Sequence, residues 1–202
     1  SPDFKPTSYW WGAAPLSDTP PPPLPKKTDV AVIGSGYTGL SAALTLARGG
    51  RAVHVFEAER PGHGASTRNA GFMPRGLYIK LSKVIAKFGL ERAIRMQREA
   101  DRAANHMLAL MEDEGIACDF VTSGRIIGAV TPAHYEIQER ELELMRKHIG
   151  IEGEMVPRAE QHREIGTDFY HGGMVMFGTG ALHPARYHRG LLVAAEKAGA
   201  IL

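Results

Sequence analysis

Cysteine is almost absent from this chain of 202 residues, in which Cys118 is the only one. A single cysteine excludes a disulfide within the chain and a zinc site built on cysteine ligands. Because secreted proteins of this size commonly carry disulfides, we expect a reducing compartment and a cytoplasmic protein.

Long apolar runs and a strong net charge are also missing. No apolar segment approaches the length of a membrane span, so we expect no membrane-spanning helix. The first residues lack the apolar core of a secretory signal, so we expect no signal peptide. Lys and Arg total 24 against 22 Asp and Glu, which leaves no basic footprint for nucleic acid. A hydrophobic share of 44% and a charged share of 23% are typical of a globular protein.

Two groups of catalytic motifs are missing as well. The nine histidines include no H-E-x-x-H pair, and His183 and His188 are five residues apart, so we expect no metal site. There is no G-x-S-x-G element, which argues against a nucleophilic serine of the hydrolase type.

Residues 29–57 carry the strongest pattern that is present. A short β-branched run, Val30–Ile33, predicts a buried parallel strand, and the glycines of G-x-G-x-x-G follow it. Apolar residues then recur at helical spacing, and a second apolar run ends on Glu57. The sequence therefore predicts a strand, a glycine turn, a helix and a second strand.

This order of elements is typical of a dinucleotide site. Gly34 permits the tight turn, Gly36 lets a pyrophosphate approach the backbone, and Gly39 lets the helix pack closely on the sheet. The helix N-terminus offers N–H groups and the positive end of its dipole to the phosphates. Glu57 is placed to accept hydrogen bonds from ribose hydroxyls and disfavours a 2′-phosphate, which argues against NADP.

A loop of small residues, AERPGHGASTRNAGF, follows Glu57. Such a loop suits a backbone that wraps closely around a ligand, although an ordinary surface turn is the simpler alternative. Within it, Arg68 is a candidate for holding an anionic group and Asn69 for bonding a polar ring edge.

The pairing of GSGYTG with PGHGASTRNAGF resembles the FAD-dependent amine and amino-acid oxidases. That family includes D-amino-acid oxidase, glycine oxidase, sarcosine oxidase and γ-glutamylputrescine oxidase, and SYWWGAAP looks like the start of the last branch. The resemblance implies that residues 64–71 lie along the pyrophosphate and flavin of FAD. The cofactor-binding candidates are therefore Gly34, Gly36, Tyr37, Thr38, Gly39, Glu57, Ala58, Gly64, Ala65, Ser66, Arg68, Asn69, Ala70 and Gly71.

Residues 1–27 differ from the rest in composition, being rich in proline and aromatic residues. We expect an extended arm that lies over the body and is anchored by Tyr9, Trp10 and Trp11. The alternative is a peptide ligand, because Pro22, Pro25 and Lys27 have the spacing of an SH3 target.

The remaining chain predicts a helix over 78–115, a hairpin over 120–130, a helix from Pro132 to about His148, and strands over 154–156 and 173–177. A helix opened by Pro184 leads to a strand start at 200–202. We expect an α/β fold: a Rossmann-like FAD-binding domain (28–117 and 183–202) with an inserted α+β substrate domain (118–182). We also expect this to be an N-terminal portion of a larger flavoenzyme, completed by the rest of its chain or by a partner subunit.

The resemblance implies an FAD-dependent oxidoreductase that oxidises the C–N bond of a small amine or amino acid. The imine would then hydrolyse, and dioxygen or another acceptor would reoxidise the flavin. A non-catalytic FAD-binding module is the alternative, and an NAD-dependent dehydrogenase is disfavoured by the 64–71 segment. No residue in the sequence is identified as catalytic.

Overall fold

The computed structural model of the protein describes residues 4–20 and 22–202. Its helices are α1 (Tyr37–Arg48), α2 (Leu81–Phe88), α3 (Leu90–Asp113), α4 (Pro132–Ile149) and α5 (Pro184–Lys197). Its strands are β1 (Val30–Ile33), β2 (Val53–Phe56), β3 (Phe72–Met73), β4 (Arg125–Gly128), β5 (Gly153–Val156), β6 (Gly173–Met176) and β7 (Gly180–Ala181). Short 3-10 turns lie at Tyr9–Gly12, Ala65–Thr67 and Arg158–Arg163.

The chain divides into two compact units. The first contains the described residues up to Gly71, together with Ala109–Phe120 and Leu182–Leu202, and the second contains Phe72–Leu108 and Val121–Ala181. This division differs from the expected domain limits, because residues 72–108 lie in the second unit. The reason is packing: Leu81, Val84 and Ala93 share a core with apolar side chains of α4.

A parallel strand pair forms the centre of the first unit. β1 and β2 run side by side with Val30 opposite Val53 and Ile33 opposite Phe56. Ile201 adds a third parallel position beside β2, with its N–H donating to Val53 O at 3.0 Å and its carbonyl accepting from Val55 N at 2.7 Å. The α/β class and the predicted strand start at 200–202 are thereby confirmed.

Two helices, α1 and α5, pack against each other in the first unit. Leu40 and Ala43 of α1 and Leu191 and Ala195 of α5 are buried, which gives this unit its apolar core. Proline at the first helical position opens α5, as predicted, and the side chain of His183 caps it by accepting from Arg186 N at 3.3 Å.

The second unit is built on a three-stranded antiparallel sheet in the order β4-β6-β5. Helix α4 packs on β5 and β6, and α2 packs on α4. Thr131 caps α4 by accepting from His134 N at 3.2 Å, and Gly150 ends the helix in the left-handed conformation. The helix predicted from Pro132 and the strands near 154 and 173 are confirmed.

Two local predictions were wrong. The helix expected over 78–115 is broken at Gly89, whose positive φ of 79° ends α2 before α3 begins. The hairpin expected over 120–130 does not form, because β4 pairs with β6 instead of with the residues that precede it. The chain does turn at Ser123-Gly124, where Gly124 has a φ of 68°, but the turn residues did not specify the partner of β4.

The N-terminal arm, defined as residues 4–20 and 22–27, is extended in part. Tyr9–Gly12 folds into a 3-10 turn, and Trp10 and Trp11 contact the body of the first unit. Tyr9 is 86% exposed and therefore does not serve as an anchor. The expectation for residues 1–3 and 21 falls outside the described residues, and the SH3-ligand hypothesis stays a prediction.

None of the helices in the described part of the chain is long and apolar enough to cross a membrane.

A buried histidine ties α5 to the turn after β1. His188 Nε2 donates to the carbonyl oxygen of Ser35 at 2.7 Å, because a carbonyl can only accept. Burial lowers the pKa of His188 below its ordinary value, although the bond to Ser35 and the nearby charge of Glu57 partly offset this. His188 is therefore neutral in the folded protein at neutral pH.

The burial of His188 makes part of the stability depend on pH. The folded-state pKa of His188 lies below the unfolded value of about 6.5, so the unfolded chain binds more protons between those values. The contribution of His188 to the free energy of unfolding is complete above about pH 6.5. It is lost as the pH falls toward the folded-state pKa of His188.

We predict that His188→Phe, which keeps a ring but leaves Ser35 without its donor, lowers the free energy of unfolding by about 1–3 kcal/mol at neutral pH. The deficit relative to wild type should shrink on acidification, since only wild type loses the His188 contribution. Chemical unfolding between about pH 7.5 and about pH 5 measures this. The exposed His106→Gln is the matched control, and a pH-independent deficit in His188→Phe would contradict the assignment.

Candidate functional site

The glycine turn connects β1 to α1. Gly34 has a φ of 92° and donates from its N–H to Phe56 O at 2.7 Å, which joins the turn to the end of β2. A Cβ on Gly39 would collide with the carbonyl oxygen of Gly34. Both glycines therefore have the structural roles that the sequence indicated: one turns the chain and the other allows close packing.

Ser35 lies between the first two glycines and is completely buried. Glu57 Oε2 accepts from Ser35 N at 2.8 Å and from Ser35 Oγ at 2.6 Å, while His188 holds the Ser35 carbonyl. The glycine turn is thus fixed through the side chains of Glu57, which directly follows β2, and of His188 in α5.

Glu57 carries the negative charge at this end of the sheet. Burial alone would raise the pKa of Glu57, but hydrogen bonds from Ser35, Glu59 and Ala58 outweigh it and leave the pKa below its ordinary value. Its second oxygen, Oε1, accepts from Ala58 N at 2.9 Å. The side chain is half-exposed, so this charged carboxylate can also face a ligand.

A second segment, residues 62–71, meets the start of α1; we call it the small-residue loop. Ser66 Oγ accepts from Tyr37 N at 3.1 Å, which joins this loop to the first turn of the helix. A Cβ on Gly36 would lie 3.1 Å from Ser66 Oγ, so only a residue without a side chain leaves this approach open. The structure thereby brings the two predicted segments together.

Asn69 is used within the small-residue loop itself. Its Nδ2 donates to Ser66 O at 3.0 Å and to Ala65 O at 3.3 Å, and its Oδ1 accepts from Gly71 N at 2.8 Å. Gly71 has a φ of 73°, and a Cβ there would collide with the carbonyl of Leu182. In this arrangement Asn69 shapes the loop, whereas the sequence had suggested a bond to a ligand.

Tyr37 anchors α1 to the start of α5. Its hydroxyl donates to Pro184 O at 3.0 Å, and its ring packs edge-on against Tyr187 at 5.1 Å. Burial raises the pKa of Tyr37 to about 12, so the phenol stays protonated and remains a hydrogen-bond donor.

Sequence reasoning did not identify Ser35, Thr67 or His188 as residues of this site. Thr67 is 1% exposed, and its hydroxyl donates to Gly62 O at 2.5 Å. Ser35 and Thr67 lie within the two motif segments. Their polar side chains, next to glycines and other small residues, could have identified them from the sequence. His188 offered none, because it comes from a separate helix.

A cleft of about 1020 Å³ lies in the first unit beside Glu57. Its walls include the end of β2, the arm between Ala14 and Leu24, and one side of α5. His54 lines the cleft, is 3% exposed, and has a buried Nδ1 without a hydrogen-bond partner. Buried polar atoms are normally paired, so a ligand that places a hydrogen-bonding group here would satisfy this nitrogen.

Cys118 is buried, with its Sγ 3.3 Å from Met111 Sδ. Burial raises the pKa of its thiol, so it is not an activated nucleophile. Among the described residues there is no group of three or more His, Cys, Asp and Glu side chains that could hold a metal ion.

A family model described as FAD dependent oxidoreductase (DAO) matches residues 29–202. The probable oxidoreductase OrdL of Rhizobium meliloti (strain 1021) is 34% identical over 202 residues, which cover 96% of this chain and 46% of that protein. Gamma-glutamylputrescine oxidoreductase of Escherichia coli (strain K12) is 29% identical over 156 residues, which cover 77% of this chain and 36% of that protein.

Solved structures show the same relationship. Glycine oxidase from Geobacillus kaustophilus superposes with a TM-score of 0.68 at 26% identity, covering 87% of this chain and 46% of that chain. The present chain thus spans less than half the length of these relatives. Because the family model covers residues 29–202, the chain belongs to the FAD dependent oxidoreductase family, whose cofactor is FAD.

Proposed function

We propose that the protein oxidises the C–N bond of a primary or secondary amine or amino acid. Bound FAD would supply the redox chemistry, which is removal of a hydride from the carbon next to nitrogen; the imine product would hydrolyse, and dioxygen or another acceptor would take the electrons. The observation that supports FAD as the cofactor in this proposal is the Ser66–Tyr37 bond, which joins the small-residue loop to the start of α1 beside a charged Glu57.

The residues present fit FAD. The N-terminus of α1 provides partial positive charge for a pyrophosphate, and Gly36 keeps the approach to it free of a side chain. Glu57 provides a carboxylate for the ribose hydroxyls next to a cleft of suitable size for a cofactor fragment. We propose as cofactor contacts Gly34, Gly36, Tyr37, Thr38, Gly39, Glu57, Ala58, Gly64, Ala65, Ser66, Arg68, Asn69, Ala70 and Gly71.

These proposed cofactor contacts have different roles. The turn glycines and the first residues of α1 contribute backbone and space, while Glu57 contributes charge. Asn69 acts by shaping the loop, because its amide is engaged by Ala65, Ser66 and Gly71.

The amine substrate class is supported by the relatives. One relative is named for γ-glutamylputrescine and another for glycine, and both compounds carry an amine. We propose that the substrate amine reacts in its neutral form, because a protonated nitrogen has no lone pair to stabilise the developing cation.

We also propose that further strands complete the first unit, supplied by the rest of the chain or by a partner subunit. The apolar side chain of Ile33 on β1 is 82% exposed, and β1 pairs only with β2 among the described strands. Parallel sheets are normally covered on both faces, so this uncovered face and edge are suited to such a partner.

Anaerobic reduction tests the function directly. We predict that an amine such as glycine, sarcosine or γ-glutamylputrescine bleaches the visible absorption of the bound flavin. The rate should rise with pH through the titration of the substrate amine. Betaine, a quaternary amine without a lone pair, is the matched control for sarcosine. Flavin that binds tightly but is reduced by none of these amines would favour the non-catalytic module instead.

Glu57 provides a second test, on cofactor affinity. We predict that Glu57→Gln weakens FAD binding by about 1.5–3 kcal/mol, the usual contribution of hydrogen bonds to a charged group. Titration of the apoprotein with FAD measures the loss, and Glu112→Gln, at an exposed position near the end of α3, is the control. Ser35→Ala, which removes only the hydroxyl bond to Glu57, should weaken binding less. Unchanged affinity in Glu57→Gln would show that the carboxylate serves the fold alone.

A further inference from the structure

The arm places three side-chain donors on the small-residue loop. Ser8 Oγ donates to Thr67 O at 2.8 Å, Trp11 Nε1 to Thr67 Oγ1 at 2.7 Å, and Trp10 Nε1 to Asn69 O at 2.7 Å. All of these atoms lie within the first unit. The loop therefore receives donors from residues that lie outside both glycine segments.

Thr67 transmits the contact with Trp11 into the loop. Its hydroxyl accepts a hydrogen bond from Trp11 and donates one to the Gly62 carbonyl, so it acts as acceptor and donor at once. Because a hydroxyl rotates freely, the indole N–H selects the rotamer in which the hydrogen points at Gly62. The bond across the loop thus depends on the arm.

Trp11 also orders Arg68, one of the proposed cofactor contacts. The Arg68 guanidinium lies over the Trp11 ring at 4.6 Å, and Nη2 donates to His63 Nε2 at 2.8 Å. An exposed arginine has many rotamers, and stacking on an indole reduces them. Trp10 packs in turn against His183 at 4.8 Å, next to the start of α5.

Beyond the indoles, the arm continues along the cleft. Ala14 is buried, Asp18 pairs with Arg60 at 2.8 Å, and Pro15 and Leu16 form part of the wall. The arm therefore contacts the small-residue loop at one point and borders the cleft next to Glu57 at another.

We propose that Trp10 and Trp11 are positioning residues of the cofactor site. They hold the small-residue loop in the conformation that retains FAD, so that the arm slows cofactor release. This inference rests on the proposed function, because it assumes that the loop contacts FAD.

The release rate of FAD tests the inference in the flavin-loaded, natural full-length protein. Trp11→Phe keeps an aromatic ring and removes the N–H donor. We expect FAD release to accelerate about fivefold, the equivalent of one hydrogen bond of about 1 kcal/mol. Tyr9→Phe is the matched control, since it removes a hydroxyl from a largely exposed neighbour, and its release rate should equal that of wild type.

A double-mutant cycle separates positioning from general destabilisation. If Trp11 acts through the Thr67 hydroxyl, the double variant Trp11→Phe/Thr67→Val should release FAD no faster than Thr67→Val alone. Hydrogen exchange of the apoprotein should show faster exchange of amides in residues 64–71 in Trp11→Phe than in Tyr9→Phe. Independent, multiplying effects on release would contradict action through Thr67.

The outcomes distinguish this inference from the proposed function. A wild-type protein that binds no FAD would overturn both. A wild-type protein that binds FAD, with Trp11→Phe releasing it at the wild-type rate, would overturn the positioning role alone. Should Trp11→Phe fail to fold, Thr67→Val replaces it, because it removes the acceptor for Trp11 together with the donor to Gly62: FAD release at the wild-type rate overturns the role.

Discussion

Ser35 is fixed on both sides of its backbone by side chains from distant segments. The Glu57 carboxylate accepts hydrogen bonds from the Ser35 N–H and hydroxyl, and the His188 ring donates a hydrogen bond to the Ser35 carbonyl. The N–H and the carbonyl of a buried residue both need hydrogen-bond partners, and at Ser35 neither a helix nor a sheet supplies them. The geometry of the turn therefore depends on β2 and α5 as much as on the glycines, and through Ser66 the small-residue loop depends on the same turn.

The local part of this site could be predicted because it follows from backbone constraints. Gly34 needs a positive φ, and Gly39 must pass close to a carbonyl, so the motif and its spacing largely determine the turn. The contacts of His188 could not be predicted, since it lies 153 residues from Ser35 in the sequence and no local pattern marks such a pair. The wrong hairpin has the same cause: Gly124 signals a turn, but the partner of β4 is determined by tertiary packing.

Asn69 has a structural role that the sequence did not indicate. The sequence suggested that its amide bonds a ligand, whereas the amide closes the loop on Ala65, Ser66 and Gly71. Together with the indoles of the arm, these bonds order the loop in advance. A site that is ordered before its ligand arrives loses less conformational entropy on binding. The polar groups around the loop thus act by holding its shape.

We propose that the cofactor pyrophosphate approaches the chain at the glycine turn, and Gly36→Val tests this proposal most directly. Gly36 has an extended conformation with a φ of −70°, so valine is compatible with the backbone, but its side chain would occupy the approach beside Ser66. Titration of the folded apoprotein with FAD should show loss of binding. Gly166→Val, at a position with nothing within 4 Å of an added Cβ, should bind like wild type. A folded Gly36→Val protein that binds FAD with wild-type affinity would contradict this account.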